Sequence, residues 1–231
     1  MVQGFFKVAC QRMQAFGPIE KVPTAFFHFT ITGLGGTSLE PGILPYNKTA
    51  LQGKHLVDIA GSCERVVWRF DPIVYWMDGG KKASNISIFK KIAPIIADAG
   101  IQNVIISLCQ WYAKSKARAE HYSINIAEPN SEEIKRDINQ LLEVANDYNM
   151  RLNACSSPVF TPFGVTPAKC VNSEFISIIH PLQNSISCDK DRGQRKECNC
   201  SKSIDIGSYQ QHCPEGCVYC YANPIKKQVY S

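Results

Sequence analysis

No long apolar run occurs in this chain. No stretch nears the ~20 apolar residues that span a bilayer, so no membrane-crossing helix is expected. Residues 1–16 lack a charged start followed by a long apolar segment, so no secretory leader is expected. Charge of one sign is also scarce. The net charge is +5 over 231 residues and no long Lys/Arg run appears, so a mixed solvated surface is expected and the charge does not support a nucleic-acid partner. Internal repeats and low-complexity tracts are absent, which excludes solenoids and biased linkers. At 45% hydrophobic and 19% charged residues the composition is ordinary globular, enough for one sizeable core.

Cysteine is present in excess. Six of the eleven are scattered: Cys10, Cys63, Cys109, Cys155, Cys170 and Cys188. Several lie in apolar runs, where a cysteine serves as small core filler, which points to a reducing cytosol. The other five fall between positions 198 and 220. Cys213, Cys217 and Cys220 form a C-x3-C-x2-C run with Tyr219 before the last cysteine. Pro214 fixes one φ angle and Gly216 lets the backbone bend toward a metal. Three thiolates on one bend suit a 4Fe–4S cluster with one iron left open. Zinc competes, because Cys198 or Cys200 completes a four-thiolate tetrahedron. Disulfides are a third reading.

The rest reads as alternating strands and helices. Strands are predicted over 25–32, 65–70, 103–108 and 151–155, and helices over 49–60, 84–99 and 131–148. Asp71-Pro72 is expected to end the second strand, Pro94 to kink or split the second helix, and Ser131 to cap the third. Residues 174–179 suit one short helical turn, and 185–203 a polar loop. This pattern predicts an α/β fold with parallel strands in a partial (β/α) barrel and a cysteine-rich C-terminal loop. Segments 1–24 (unplaced), 25–184 (βα repeats) and 185–231 (cysteine-rich) are the expected divisions.

Functional groups of such a fold gather where strands end. Arg69 and Asp71 alternate along a strand, so both face one side. There they either grip an anionic ligand or form a structural ion pair. Thr30, Thr32, Ser107, Gln110, Ser156 and Ser157 fall at other strand ends, and Tyr112 and Lys114 read as surface. His28 reads as a satisfied core histidine. Asp205 and Gly207 suit a turn that delivers Cys213. Arg192, Arg195 and Lys196 either balance cluster charge or form an exposed basic loop.

The C-x3-C-x-aromatic-C run resembles the cluster loop of radical S-adenosylmethionine (SAM) enzymes. Its place near the C-terminus resembles the prokaryotic domain-of-unknown-function family numbered 1848. That resemblance is carried by Asp191, Gln194-Arg195, Glu197 to Cys200, Ser203 to Gly207, Tyr209 and Cys213 to Asn223. Weaker matches lie at 27–32 and 67–73, so it covers roughly positions 25–223. It implies a 4Fe–4S cluster on Cys213, Cys217 and Cys220, with SAM on the open iron and a reductant as electron source. Tyr219 would pack beside the SAM adenine, with Arg69 and Asp71 as further cofactor contacts. Cys198 and Cys200 would hold a second metal or shield the first. The family's earlier strands and their motifs have no counterpart found before position 25, and an acidic residue usual near the fourth strand is replaced by Ser157. A non-catalytic zinc-stapled binding module and a shortened, inactive relative are the alternative readings.

Overall fold

The computed structural model describes residues 7–9, 25–179, 189–190, 193–203 and 212–224. Six strands form one parallel sheet: β1 (Lys7–Ala9), β2 (Phe26–Thr30), β3 (Val66–Ile73), then, past a hairpin of β4 (Tyr75–Asp78) and β5 (Lys81–Ser84), β6 (Asn103–Leu108), β7 (Arg151–Ala154) and β8 (Thr166–Pro167). Apart from the hairpin, neighbours in the sheet follow chain order, so successive βα units wind in one direction. Among the described residues the sheet is open, with β1 and β8 at its edges. Strand β1 carries no alternating apolar signature and was not expected; it pairs Val8 with Phe27.

The period-2 alternation of the strands explains the two faces. Phe27, Phe29, Trp68, Phe70, Val104, Ile106, Leu152 and Ala154 point one way, into the main core. Helices α1 (Tyr46–Ala50), α2 (Gln52–Ala60), α3 (Ile86–Asp98) and α5 (Ser131–Asp147) contribute to that core. Trp68 stacks on Phe89 with centroids 4.7 Å apart, and Phe70 meets Phe89 edge-on at 5.1 Å. Each such fully buried side chain contributes about 1.5–3 kcal/mol. The opposite face carries His28, Thr30, Val67, Arg69, Ile105, Ser107 and Cys155.

Several local expectations are corrected. Strand β3 runs through Asp71-Pro72 to Ile73. Its register against β6 shifts between Phe70 and Ile73, so the proline, which has no N–H to donate, sits in a bulge. Pro94 does not split α3, because Ile92, Ala93 and Ile96 around it are fully buried. The first helix begins at Tyr46 and breaks at Leu51, while Gly61 closes it in a left-handed conformation (φ 73°). The cap of α5 is Asn130: its Oδ1 accepts the Glu133 N–H at 2.9 Å, and Glu133 Oε2 accepts the Asn130 N–H at 2.7 Å. Helix α4 (Ala113–His121) escaped the sequence reading, since it buries only Ser115 and Ala119 and shows no apolar stripe. The turn near 174–179 is a full helix, α6 (Ser173–Ile179). A short parallel pair, β9 (His212–Cys213) with β10 (Asn223–Pro224), clasps the C-terminal loop.

Candidate functional site

The C-terminal ends of β2, β3, β6 and β7 open onto a cavity of about 580 Å³. Arg69, Asp71 and Ser107 line it from the strands, Cys155 and Ser157 from the loop after β7. Cys213, Cys217, Tyr219 and Cys220 line it from the C-terminal loop, so all three residues of the C-x3-C-x2-C run meet one space.

On the sheet side, Arg69 donates from a terminal guanidinium nitrogen to Asp71 Oδ2, and Ser107 Oγ donates to Asp71 Oδ1. The bulge after Phe70 places Asp71 between them. Burial works against the Arg69 charge, but Asp71, helped by the Cys170 and Cys155 sulfurs, holds its pKa above the ordinary value. Arg69 Nε is buried and has no hydrogen-bond partner among the described residues. A buried orphan N–H on the wall of a cavity is a donor waiting for an acceptor.

The cysteine loop is held from three directions. Gly216 turns the chain at φ 68°, beyond the Pro214-Glu215 turn. Residues 33–45, a Gly/Pro-rich loop, form its bed: Gly42 N–H donates to Glu215 O at 3.0 Å and Val218 N–H to Leu39 O at 2.9 Å. A Cβ at Gly42 would stand 2.5 Å from Glu215 O, so only glycine allows that approach. Val218, fully buried, plugs a small core with Leu34, Leu39, Val74 and Ala119. From α4, Arg118 donates to the carbonyls of Cys217 (2.6 Å), Cys220 (3.0 Å), Val218 (3.4 Å) and Ala222 (2.8 Å). One guanidinium thus gathers the carbonyls of the turn, leaving the thiols to face elsewhere.

Behind the loop lies Glu40, 1% exposed. Thr32 Oγ1 donates to its Oε1 at 2.5 Å, and the Tyr219 hydroxyl donates to the same oxygen. Burial pushes the Glu40 carboxyl above its ordinary 4.5, outweighing those two hydrogen bonds. Burial likewise raises Tyr219 well above 10, with Glu40 adding to it. Tyr219 therefore lines the cavity while its hydroxyl is anchored inward. The Cys217 thiol is pushed up by burial first, then by Glu40, Cys220 and Cys213.

Cys198 and Cys200 do not join the trio. Cys200 Sγ accepts the Cys170 N–H at 3.1 Å and the Val171 N–H at 3.4 Å. Cys170 Sγ lies 3.5 Å from Cys155 Sγ. Cys198 is hydrogen-bonded to Cys200, and burial raises its thiol. Cys155 and Cys170, read from sequence as scattered filler, thus belong to a second group. Nothing local announces it, since its members come from three separate loops. Arg195 reaches the cavity and donates to Gln110 Oε1 at 2.9 Å; Lys196 is exposed. His28 is buried, with Nε2 2.8 Å from Cys170 O. Tyr112, 44% exposed, touches the cavity rim. Arg192, Asp205 and Gly207 lie outside the described residues. Sequence reasoning missed Glu40 and Arg118 because neither sits in a motif. Among the described residues no group of three or more His, Cys, Asp or Glu side chains is drawn together as a metal ion would require. No described helix is long and apolar enough to cross a membrane.

These features define a mixed α/β protein with a ligand-sized cavity at the C-terminal edge of a parallel sheet, roofed by a cysteine loop. The chain belongs to the family described as domain of unknown function 1848, whose model matches residues 7–222. That span takes in β1, the sheet, the cavity and the whole C-x3-C-x2-C run. A search of curated proteins finds no match.

Proposed function

We propose that the chain is an iron–sulfur protein of radical SAM type. Cys213, Cys217 and Cys220 would hold a 4Fe–4S cluster at the cavity. The observation that carries this reading is that all three line the same space as the Arg69–Asp71 pair. The fit is supported by the donor set, three thiols on one turn, and by the Arg69 Nε, which has no partner among the described residues. When bound, such a cluster supplies one electron to a ligand seated at its open iron. The residues do the rest. Arg69 Nε would donate to the ligand's carboxylate or a ribose oxygen while Asp71 keeps the guanidinium oriented. Tyr219, anchored on Glu40, would offer its ring as an apolar wall. Arg118 would hold the turn so that the thiols converge on the cavity. The one-directional strand order supports a partial (β/α) barrel as the scaffold, with the Arg69 face turned inward. A reducing cytosol suits free thiols of this kind.

The test is anaerobic reconstitution with iron and sulfide, followed by EPR of the reduced protein with and without SAM. The expected outcome is iron and sulfide bound in cubane ratio and a spectrum that changes with SAM. A spectrum that ignores SAM would remove the SAM part of the reading. Tight zinc with no iron uptake would favour a non-catalytic, zinc-stapled binding module. Loss of iron in the Cys217→Ser chain, with retention in Cys200→Ser, would assign the cluster to the trio.

A further inference from the structure

The second cysteine group lies on the face of the sheet opposite the main core, beside the cavity. Cys155 follows β7 and Cys170 follows β8, adjacent strands, so their exits run side by side. Their sulfurs are 3.5 Å apart, in van der Waals contact, and no disulfide joins them. The Cys170 backbone is fixed on both sides: His28 Nε2 meets its carbonyl at 2.8 Å and its N–H donates to Cys200 Sγ at 3.1 Å. Cys170 is 5% exposed, whereas Cys155 is half-buried and lines the cavity. An oxidant that enters the cavity therefore reaches Cys155 first and finds Cys170 directly behind it.

We propose that Cys155 and Cys170 form a redox-active pair that closes a disulfide on reaction with a low-molecular-weight disulfide. The pair is independent of the iron–sulfur reading above. Cys155 loses its proton and its thiolate attacks one sulfur of RSSR; the RS–SR bond breaks and the first RS⁻ leaves, taking up that proton. Cys170 then loses its proton and attacks Cys155 Sγ; the mixed disulfide breaks and the second RS⁻ leaves, taking up that proton. Two electrons pass from the two cysteines to RSSR, giving one protein disulfide and two RSH. Closing the bond asks for about 1.5 Å of approach, from contact to a ~2.05 Å S–S bond.

The surroundings support this assignment. Cys200 Sγ accepts the N–H groups of Cys170 and Val171 at 3.1 and 3.4 Å, which pins the loop that presents the Cys170 sulfur to Cys155. The hydrogen bond with Cys170 lowers Cys155. Arg69 and Cys155 line the same cavity, so a change at the pair is felt on that wall.

The test uses the full chain, purified anaerobically and equilibrated in graded mixtures of reduced and oxidised glutathione. Remaining thiols are alkylated and the protein is digested without reduction. Trypsin cleavage at Lys169 separates the two cysteines. The expected result is one cross-linked peptide pair, lighter by two hydrogens, whose fragmentation places the bond between Cys155 and Cys170. It should form before Cys213, Cys217 or Cys220 lose alkylation. In Cys170→Ser, Cys155 should be trapped as a mixed disulfide with glutathione. Full alkylation of both cysteines while others oxidise would overturn the proposal, and so would a first cross-link from Cys170 to Cys200. The parent chain alone decides this, whether or not the variant folds.

Discussion

The two cysteine groups are built in opposite ways. Cys213, Cys217 and Cys220 are neighbours in sequence and depend on distant residues to be held. Arg118 comes from α4, and Leu39 and Gly42 from the loop after β2. Cys155, Cys170 and Cys200 are far apart in sequence and are gathered by the sheet itself, at the exits of β7 and β8. The first group is a preformed motif docked onto a scaffold. The second is a product of the scaffold. A motif of the first kind is visible before folding, and its weak point is the docking. A site of the second kind is invisible in sequence, and its weak point is the sheet.

Variants separate the two. The largest effect is expected for Arg69→Met, which leaves Asp71 buried without its cation. Breaking this part-buried pair from one side should cost about 3 kcal/mol, the low end of the scale for buried pairs, read as a lower urea midpoint. Alkylation of the Cys213–Cys220 turn in the native state should stay at the parent rate; acceleration there would mean the two regions are not independent. Arg118→Met acts on the other region. A hydrogen bond from a charged group contributes about 1.5–3 kcal/mol, so amide exchange at Val218 and Cys220 should quicken roughly 30-fold. The urea midpoint should move little, and Cys155 should alkylate as before. Unchanged exchange would show that the clasp of β9 and β10 holds the turn without the guanidinium.

A smaller change is expected for Gly42→Ala. The new Cβ would stand 2.5 Å from Glu215 O and 2.7 Å from its Cα, both backbone atoms that cannot swing aside. The loop must lift, at about 1–2 kcal/mol for an overpacked contact. Cys213 and Cys217 should then alkylate faster while Cys170 does not. Equal acceleration of both groups would undo the distinction between them.

What was legible in the sequence follows the same division. The strands at Phe26–Thr30 and Asn103–Leu108 were readable because aromatic and β-branched runs end at clear breakers. Helix α5 was readable from its stripe of Ile134, Ile138, Leu141 and Ala145. The Arg69/Asp71 alternation gave their shared face, and the Cys213–Cys220 spacing gave the loop. Helix α4 was not legible, because its use is to deliver Arg118 to carbonyls and not to bury an apolar face. The bulge at Asp71-Pro72 was misread as a strand end, since a proline that breaks one ladder bond looks the same in sequence as one that ends a strand. Glu40 sits among glycines and prolines, and only the folded loop shows that its carboxyl is enclosed.

Glu40 gives the finest test of how the motif is docked. Its carboxyl is raised above 4.5 because burial outweighs the donors Thr32 and Tyr219. Between the unfolded value and the raised folded value, the folded chain keeps a proton that the unfolded chain has lost. Stability must therefore fall as pH rises through that window, and below 4.5 the group adds no slope. Glu40→Gln keeps the shape and one acceptor oxygen but cannot ionise. Its stability should run flatter across the window, and at neutral pH it should differ from the parent by no more than about 0.5–1.5 kcal/mol, the scale of one hydrogen bond. Urea midpoints of both chains across that range read the difference in slope. Parallel profiles would mean that Glu40 keeps its ordinary titration, so that the floor beneath Tyr219 is wetter than its 1% exposure implies. A steeper fall in the parent would show that the cysteine turn rests on a dry, neutral carboxyl. The sheet-built group would be untouched by that titration, since no hydrogen bond links Glu40 to Cys155, Cys170 or Cys200 among the described contacts.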